Sequence, residues 1–350
     1  MIEKAKEWMG MGNAVALATV IATWGSSPRP VGSQMVIDEK GRFEGSVSGG
    51  CIEGAIVEEA LDVIDRGIPR RVFYGVTQNE AWEVGLACGG EIDIYVEKVT
   101  WESVLKQLTE LIIAKRPACL ITDLSTGEKK VVSLDDASGL GSLQGELVPY
   151  VETIKYSERN MIVDVGGRSM FFHGFHPAPK IIIIGAVHIA KALAKYASIA
   201  GYEVMIIDPR EAFANALRFP DVPINIEWPD EALKKMDIHS RTAIVTLTHD
   251  PKLDDPALAV ALRSEAFYIG ALGGRKTHAE RLGRLKQLGF TDEAVRRIYG
   301  PVGLSIGAIS PEEIAIAIMA QITGIRRNND GRKISFHACT SNSNVKGLSQ

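Results

Sequence analysis

Hydrophobic and polar positions along this chain follow two periods, and the changes between them mark its elements. Residues 2–10 predict a short helix. "AVALATVIATW" (14–24), rich in alanine, valine and threonine, predicts a buried strand. Two prolines and two glycines make 25–34 a loop. "MVIDEKGRFEGSVS" (35–48) reads as a hairpin turning at Glu39 to Gly41. After Gly50 the period becomes helical, with Ile52, Ala55, Ile56, Ala60 and Ile64 on one stripe, Glu59 beside it, and Gly67 placed to cap the end. "RRVFYGV" and "GEIDIYVEKV" predict strands, and 101–114 a helix. From 117 to 175 five short segments, "ACLITDL", "KKVVSL", "GSLQGELV", "NMIVDVG" and "SMFFHGF", read as strands of an antiparallel sheet continuous with the first domain.

The proline-broken "HPAPK" (176–180) predicts a domain boundary. The four isoleucines that follow, 181–184, suit a strand buried on both faces, as a parallel sheet requires. A glycine turn, a helix over 188–199 and a second strand ending at Asp208 complete a βαβ unit. Further parallel strands are expected within 241–250 and 266–274. Ser310 and Glu313 form a capping box at the head of a helix over 309–327. The expected fold is α/β. An N-terminal α+β domain with a mixed or antiparallel sheet covers 1–176. A Rossmann-like parallel-sheet domain covers 180–327, and 328–350 is a polar, loosely packed tail.

Composition narrows the function classes. The chain has 350 residues, 46% hydrophobic and 23% charged, ordinary for a globular protein. A net charge of −4 gives no bulk attraction to nucleic acid or an anionic membrane. There is no long uncharged apolar run to span a bilayer, and "MIEKAKEWMG" lacks the marks of a signal peptide. The cytoplasm is the expected compartment. Four cysteines, at 51, 88, 119 and 339, make neither a disulfide framework nor a CxxC knuckle, and a reducing compartment leaves Cys51 and Cys88 as thiols.

Those two thiols are the first candidate chemistry. "GSVSGGCIEG" (45–54) puts Cys51 at the expected start of a helix, where unpaired amides and the helix dipole favour a thiolate. Glu53 opposes this unless its side chain points away. Gly49 and Gly50 allow a tight turn and a close ligand approach. "GLACGGEI" (85–92) repeats the theme with Cys88, Gly89 and Gly90. Two soft thiols beside bare backbone suit sulfur transfer or contact with a thiophilic metal centre. Packing in the core is the alternative for both, and burial is the expectation for Cys119 within its apolar strand. Arg29, among serines and glycines, either holds an anion or lies in a solvated hairpin loop.

In the second half, "GAVHIA" (185–190) follows the first strand as a dinucleotide fingerprint does, with Gly185 and Ala190 in its first and last places. Val187 replaces the glycine that lets a phosphate approach. Asp208 is placed to accept from a ribose hydroxyl, which favours NAD over NADP. His188 either meets a ligand or caps its helix, and that helix N-terminus suits an anion such as a pterin phosphate. His249 and Asp250 follow a parallel strand, as an acid–base pair or a helix cap. No GxSxG or HExxH motif occurs.

Together these segments resemble the XdhC/CoxI family, accessory proteins of xanthine dehydrogenase and related molybdenum hydroxylases. The resemblance rests on 25–37, 45–53, 85–97, 182–210, 248–250, 268–277 and 301–322, in unbroken order. It implies a protein that binds molybdenum cofactor, protects it while an oxo ligand is exchanged for sulfur, and delivers it to the hydroxylase. A cysteine desulfurase is the implied sulfur source. Cys51 and Cys88 match the family's GGC and CGG cysteines and are the implied cofactor or molybdenum contacts. Gly185, His188 and Ala190 fall on its glycine turn. Val187, Gly273 and Ser305 depart from it, where glycine, serine and aspartate are expected. An NAD(P)-dependent oxidoreductase and a non-catalytic adaptor between desulfurase and hydroxylase are the alternative readings. A homodimer is the expected assembly.

Overall fold

In the computed structural model the chain divides into two compact units, Met1–Pro177 and Ala178–Gln350. The structure describes residues 1–25, 29–75, 90–100, 103–135 and 145–328. Cys88, Gly89 and Cys339 therefore lie outside the described residues. So does the expected polar tail, apart from Asn328.

The first unit opens with α1 (Ile2–Gly10), which buries Ile2, Ala5 and Trp8 along one stripe. Next come β1 (Val15–Trp24) and the hairpin of β2 (Gln34–Asp38) and β3 (Phe43–Gly45), then α2 (Glu53–Arg66). Gly67 ends α2 in the left-handed conformation, φ 71°, as its position predicts. With β4 (Arg70–Tyr74) and β5 (Glu91–Lys98) these strands form an antiparallel sheet in the order β3-β2-β1-β5-β4. Alternation along β1 sends Ala16, Ala18 and Val20 toward the core under α2, where Ile52, Ile56 and Val63 meet them. Leu17 goes to the opposite face and joins Trp8 of α1 and Leu108 of α3 (Ser103–Ile113).

A second antiparallel sheet, ordered β7-β6-β9-β8, is built from β6 (Ala118–Asp123), β7 (Lys129–Ser133), β8 (Met161–Val165) and β9 (Arg168–Phe175). Here the sequence reading fails once. Where "GSLQGELV" predicted a strand, Gly145–Leu147 form a single 3-10 turn that leads into α4 (Val148–Ser157). That helix buries only Val151 and Ile154, too narrow a stripe to register as helical periodicity, and Pro149 lies in its first turn.

The second unit is a six-stranded, all-parallel sheet ordered β12-β11-β10-β13-β14-β15. Its strands are β10 (Lys180–Ile184), β11 (Glu203–Ile207), β12 (Ile224–Asn225), β13 (Thr242–Thr246), β14 (Tyr268–Ala271) and β15 (Ile298–Tyr299). The order reverses between β10 and β13, as in doubly wound nucleotide-binding folds. The isoleucine run is explained directly. Ile181 and Ile183 pack toward α5 (His188–Ile199) and α10 (Pro311–Asn328), while Ile182 and Ile184 pack toward α7 (Pro251–Arg263). Between α5 and α10 the chain also forms α6 (Pro229–Lys234), α8 (Arg275–Gln287) and α9 (Asp292–Val295). The capping box forms as expected: Glu313 N–H donates to Ser310 Oγ at 3.2 Å, and Ser310 N–H donates to Glu313 Oε2 at 2.9 Å. No helix among the described residues is long and apolar enough to cross a membrane.

Candidate functional site

Cys51 is exposed, on a loop held from below by one carboxylate. Glu53, the first residue of α2, is 6% exposed and folds back under residues 46–50. Its Oε1 accepts from Ser46 Oγ at 2.7 Å and from the amides of Ser48 at 3.0 Å and Gly49 at 3.1 Å. A longer contact comes from Val47 N–H at 3.3 Å. Its Oε2 accepts from Ser48 Oγ at 2.6 Å and Gly50 N–H at 2.9 Å. Ser48 Oγ in turn accepts from the amides of Cys51 and Ile52, both at 3.1 Å. Every amide from 47 to 52 is thereby satisfied within the loop.

This arrangement corrects two expectations. Cys51 does not sit in the first helical turn, because α2 begins at Glu53. The amides around it face inward and are not open donors for a ligand. What faces outward is the thiol and the exposed Gly49–Gly50 backbone. Both glycines have positive φ, 84° and 118°, which residues with a Cβ rarely adopt. Two hydroxyls and the loop amides meet the charge of the Glu53 carboxylate. Burial pushes the Glu53 carboxyl up, but the hydrogen bonds from Ser48 and Ser46 outweigh it and hold it at about 2.

Arg29 joins the same cluster. Its Nε donates to Ser46 Oγ at 3.3 Å, so one hydroxyl links the exposed guanidinium to Glu53. Gly90 is buried immediately before β5. Cys119 is fully buried in β6, and burial pushes its thiol up to about 12. Among the described residues no group of three or more His, Cys, Asp or Glu is placed to hold a metal ion.

In the second unit the glycine turn forms as expected. Gly185 has φ 106°, and a Cβ there would lie 2.6 Å from Thr248 Cγ2, so only glycine fits. Val187 is extended at the N-cap of α5 and makes no side-chain cap, and its side chain packs against the core. His188 is exposed at the first turn, and Ala190 is buried.

Asp208 differs from its expected role. It is fully buried, and its carboxylate accepts from Ala186 N–H at 2.8 Å and from Arg210 through Nε at 2.8 Å and Nη2 at 2.7 Å. Burial raises its pKa, but these bonds outweigh that and lower it. The carboxylate is an internal anchor for the turn, covered by its own arginine, and not an open ribose acceptor. His249 and Asp250 divide similarly. His249 is exposed with φ 60°, while Asp250 caps α7 by accepting from Lys252 N–H at 2.9 Å. The capping alternative therefore holds for Asp250.

Sequence reasoning missed the roles of Ser46, Ser48 and Glu53. A glutamate three residues after Gly50 carried half of a capping-box signal, which the thiol overshadowed. It also missed a buried pair, Arg281 and Asp254, with Nη2 and Oδ2 3.5 Å apart.

Comparison with known proteins matches both units. Residues 8–75 match the XdhC and CoxI family, and residues 181–322 match the XdhC Rossmann domain. A molybdenum cofactor insertion chaperone, PaoD of Escherichia coli, is 29% identical over 328 residues, covering 93% of this chain and 88% of that protein. A protein of Bacillus subtilis described as a probable subunit of xanthine dehydrogenase is 25% identical over 319 residues, covering 89% of this chain and 93% of that one. A crystal structure described as a xanthine dehydrogenase from Bacillus halodurans superposes with a TM-score of 0.73 at 29% identity, covering 95% of this chain and 96% of that chain. The chain is thus homologous to accessory proteins of molybdenum hydroxylases, and it belongs to the XdhC and CoxI family.

Proposed function

We propose that this protein carries molybdenum cofactor as cargo, holding it while its metal centre receives sulfur and then passing it to a xanthine dehydrogenase-type hydroxylase. The observation that carries this reading is the exposed Cys51 thiol on a loop whose amides are all tied to Glu53 and Ser48. A sulfur donor suits a soft, sulfur-ligated metal centre. A fixed loop loses little conformational freedom when it engages a ligand. The bare Gly49–Gly50 backbone leaves the thiol's flank clear of side chains, and Arg29 adds a cation next to Ser46 for the cofactor's phosphate.

The residues of the loop cluster then have distinct parts. Cys51 contacts the cargo through its sulfur. Glu53, Ser48 and Ser46 position it and do no chemistry. A contact made through protein sulfur alone can be released, which suits a carrier better than a permanent ligand cage. Gly89 and Cys88 are proposed as the companion wall from the sequence resemblance alone. A cysteine desulfurase is the proposed sulfur source, the hydroxylase the proposed recipient, a homodimer the proposed assembly and the cytoplasm the proposed compartment. The relatives described as an insertion chaperone and as part of a xanthine dehydrogenase support this reading. The nucleotide-dependent alternative loses its main support, since the Asp208 oxygens on which it rested are occupied.

The test is transfer. Apo-hydroxylase is incubated with the cofactor-loaded protein and a sulfur source, and its activity is followed. The wild-type protein activates it, and C51A does so at least about tenfold less, equivalent to about 1.4 kcal/mol. Equal activation by C51A contradicts the role given to the thiol.

A further inference from the structure

Between the two sheets of the first unit lies an open-sided cavity of about 590 Å³. That is within the range of small-molecule sites. It lies on the face of β1 away from α2. Ala16, Ala18 and Val20 point to α2, whereas Leu17, Thr19 and Ile21 line the cavity. It is therefore separate from the Cys51 loop, which leads into α2.

Part of the lining is apolar, with Leu17, Leu120 and Phe171. The rest is polar, and two of its buried side chains have an oxygen without a hydrogen bond. Tyr95 is 3% exposed, and its hydroxyl has no partner. Asp123 is 1% exposed. Its Oδ1 accepts from the amides of Ser125 and Thr126 at 2.8 and 3.2 Å, which closes the turn after β6. Its Oδ2 makes no hydrogen bond and has an ion-pair contact of 3.5 Å with Arg168 Nη1. Leaving such a buried oxygen unmet costs about 1–3 kcal/mol. Glu97 is paired with Lys129 and so is already answered. His173, which also lines the cavity, is held at about 4 by burial and is neutral at pH 7.

A ligand that meets both oxygens needs a donor for the carboxylate and a partner for the phenol. It needs them on one edge of a flat apolar body that fits against Phe171 and the leucines. We propose that this cavity binds a planar nitrogen heterocycle of the aminopyrimidinone class, the class of guanines and pterins, with its N–H and amino edge toward Asp123 and its carbonyl or ring nitrogen toward Tyr95. The volume leaves room for a substituent on a two-ring heterocycle. The inference goes beyond the cofactor-carrying reading. The ligand here is a free heterocycle and not the cargo, whose metal and pterin share one fused ring system and so stay together at the Cys51 loop.

The test uses the full chain and a metal-free fluorescent probe, 6-hydroxymethylpterin, with guanine as competitor. Wild-type protein binds the probe saturably and guanine displaces it. Y95F and D123N, both checked for unchanged melting, bind about tenfold more weakly, the loss of one hydrogen bond worth about 1.4 kcal/mol. Asparagine keeps the Oδ1 that closes the turn, so D123N retains that support, and if one variant fails to fold the other decides. A loss in either folded variant supports the site. Wild-type affinity in every folded variant, or no saturable binding at millimolar probe, overturns it. Because the probe holds no metal, its failure leaves the Cys51 reading standing, since that reading is judged by molybdenum.

Discussion

Ser48 and Glu53 are joined twice, Oγ to Oε2 at 2.6 Å and amide to Oε1 at 3.0 Å, and this double link holds the loop that exposes Cys51. The carboxylate replaces water for a loop that would otherwise bury or strain its amides. A glutamine in its place offers one oxygen and turns an amino group toward existing donors. E53Q is expected to lower the unfolding free energy by about 2–4 kcal/mol, measured by urea denaturation. A loss below about 0.5 kcal/mol would show that the loop stands without the carboxylate.

The same link sets an acid limit. The Glu53 carboxyl is held at about 2, below its ordinary 4.5. Its folded pKa is depressed, so its stabilisation is full above about 4.5 and is lost as the pH falls toward 2. The contribution is on the order of 2–3 kcal/mol. The stability gap between wild type and E53Q, followed across this window, should be constant near neutrality and shrink on acidification. A gap that does not change with pH would contradict the assignment.

Gly185 and Thr248 make the equivalent tight point in the second unit. G185A places a Cβ 2.6 Å from Thr248 Cγ2 at φ 106°. A loss of about 1–3 kcal/mol or more is expected from strain of this kind. T248S removes the clashing methyl and keeps the hydroxyl that donates to Asp254 at 2.7 Å, so the double variant should recover part of the loss and no more. Thermal denaturation of the four proteins measures it.

The two described thiols should separate chemically. Brief alkylation of the native protein followed by peptide mapping should label Cys51 and spare Cys119, which is fully buried with its thiol pushed up to about 12. Cys119 should react only after unfolding. Equal native labelling would contradict the placement of both.

Much of the fold was legible because its cues are local. The Ile181–Ile184 run, Gly185, Gly67 and the Ser310–Glu313 box each carry their structural reason within a few residues. The helix Val148–Ser157 was not legible, because two buried side chains make too faint a stripe. At the site, the sequence brought out Cys51, Gly49, Gly50 and Arg29, which the fold brings to one loop cluster. It misjudged Asp208, since nothing in a strand-end aspartate tells that Arg210 two residues later will cover it. It missed Glu53 as an anchor, because a glutamate opening a helix reads as a solvated charge until the chain upstream is seen to fold over it. The cavity between the sheets depends on Tyr95 and Asp123 meeting across two sheets, a relationship no linear pattern contains.

The most direct measurement is the molybdenum bound per chain after loading with molybdenum cofactor and removal of the excess, determined by elemental analysis for wild type and C51A. The account predicts that the wild-type protein retains the metal and that C51A loses most of it while melting at the same temperature. Equal molybdenum on both proteins would contradict it.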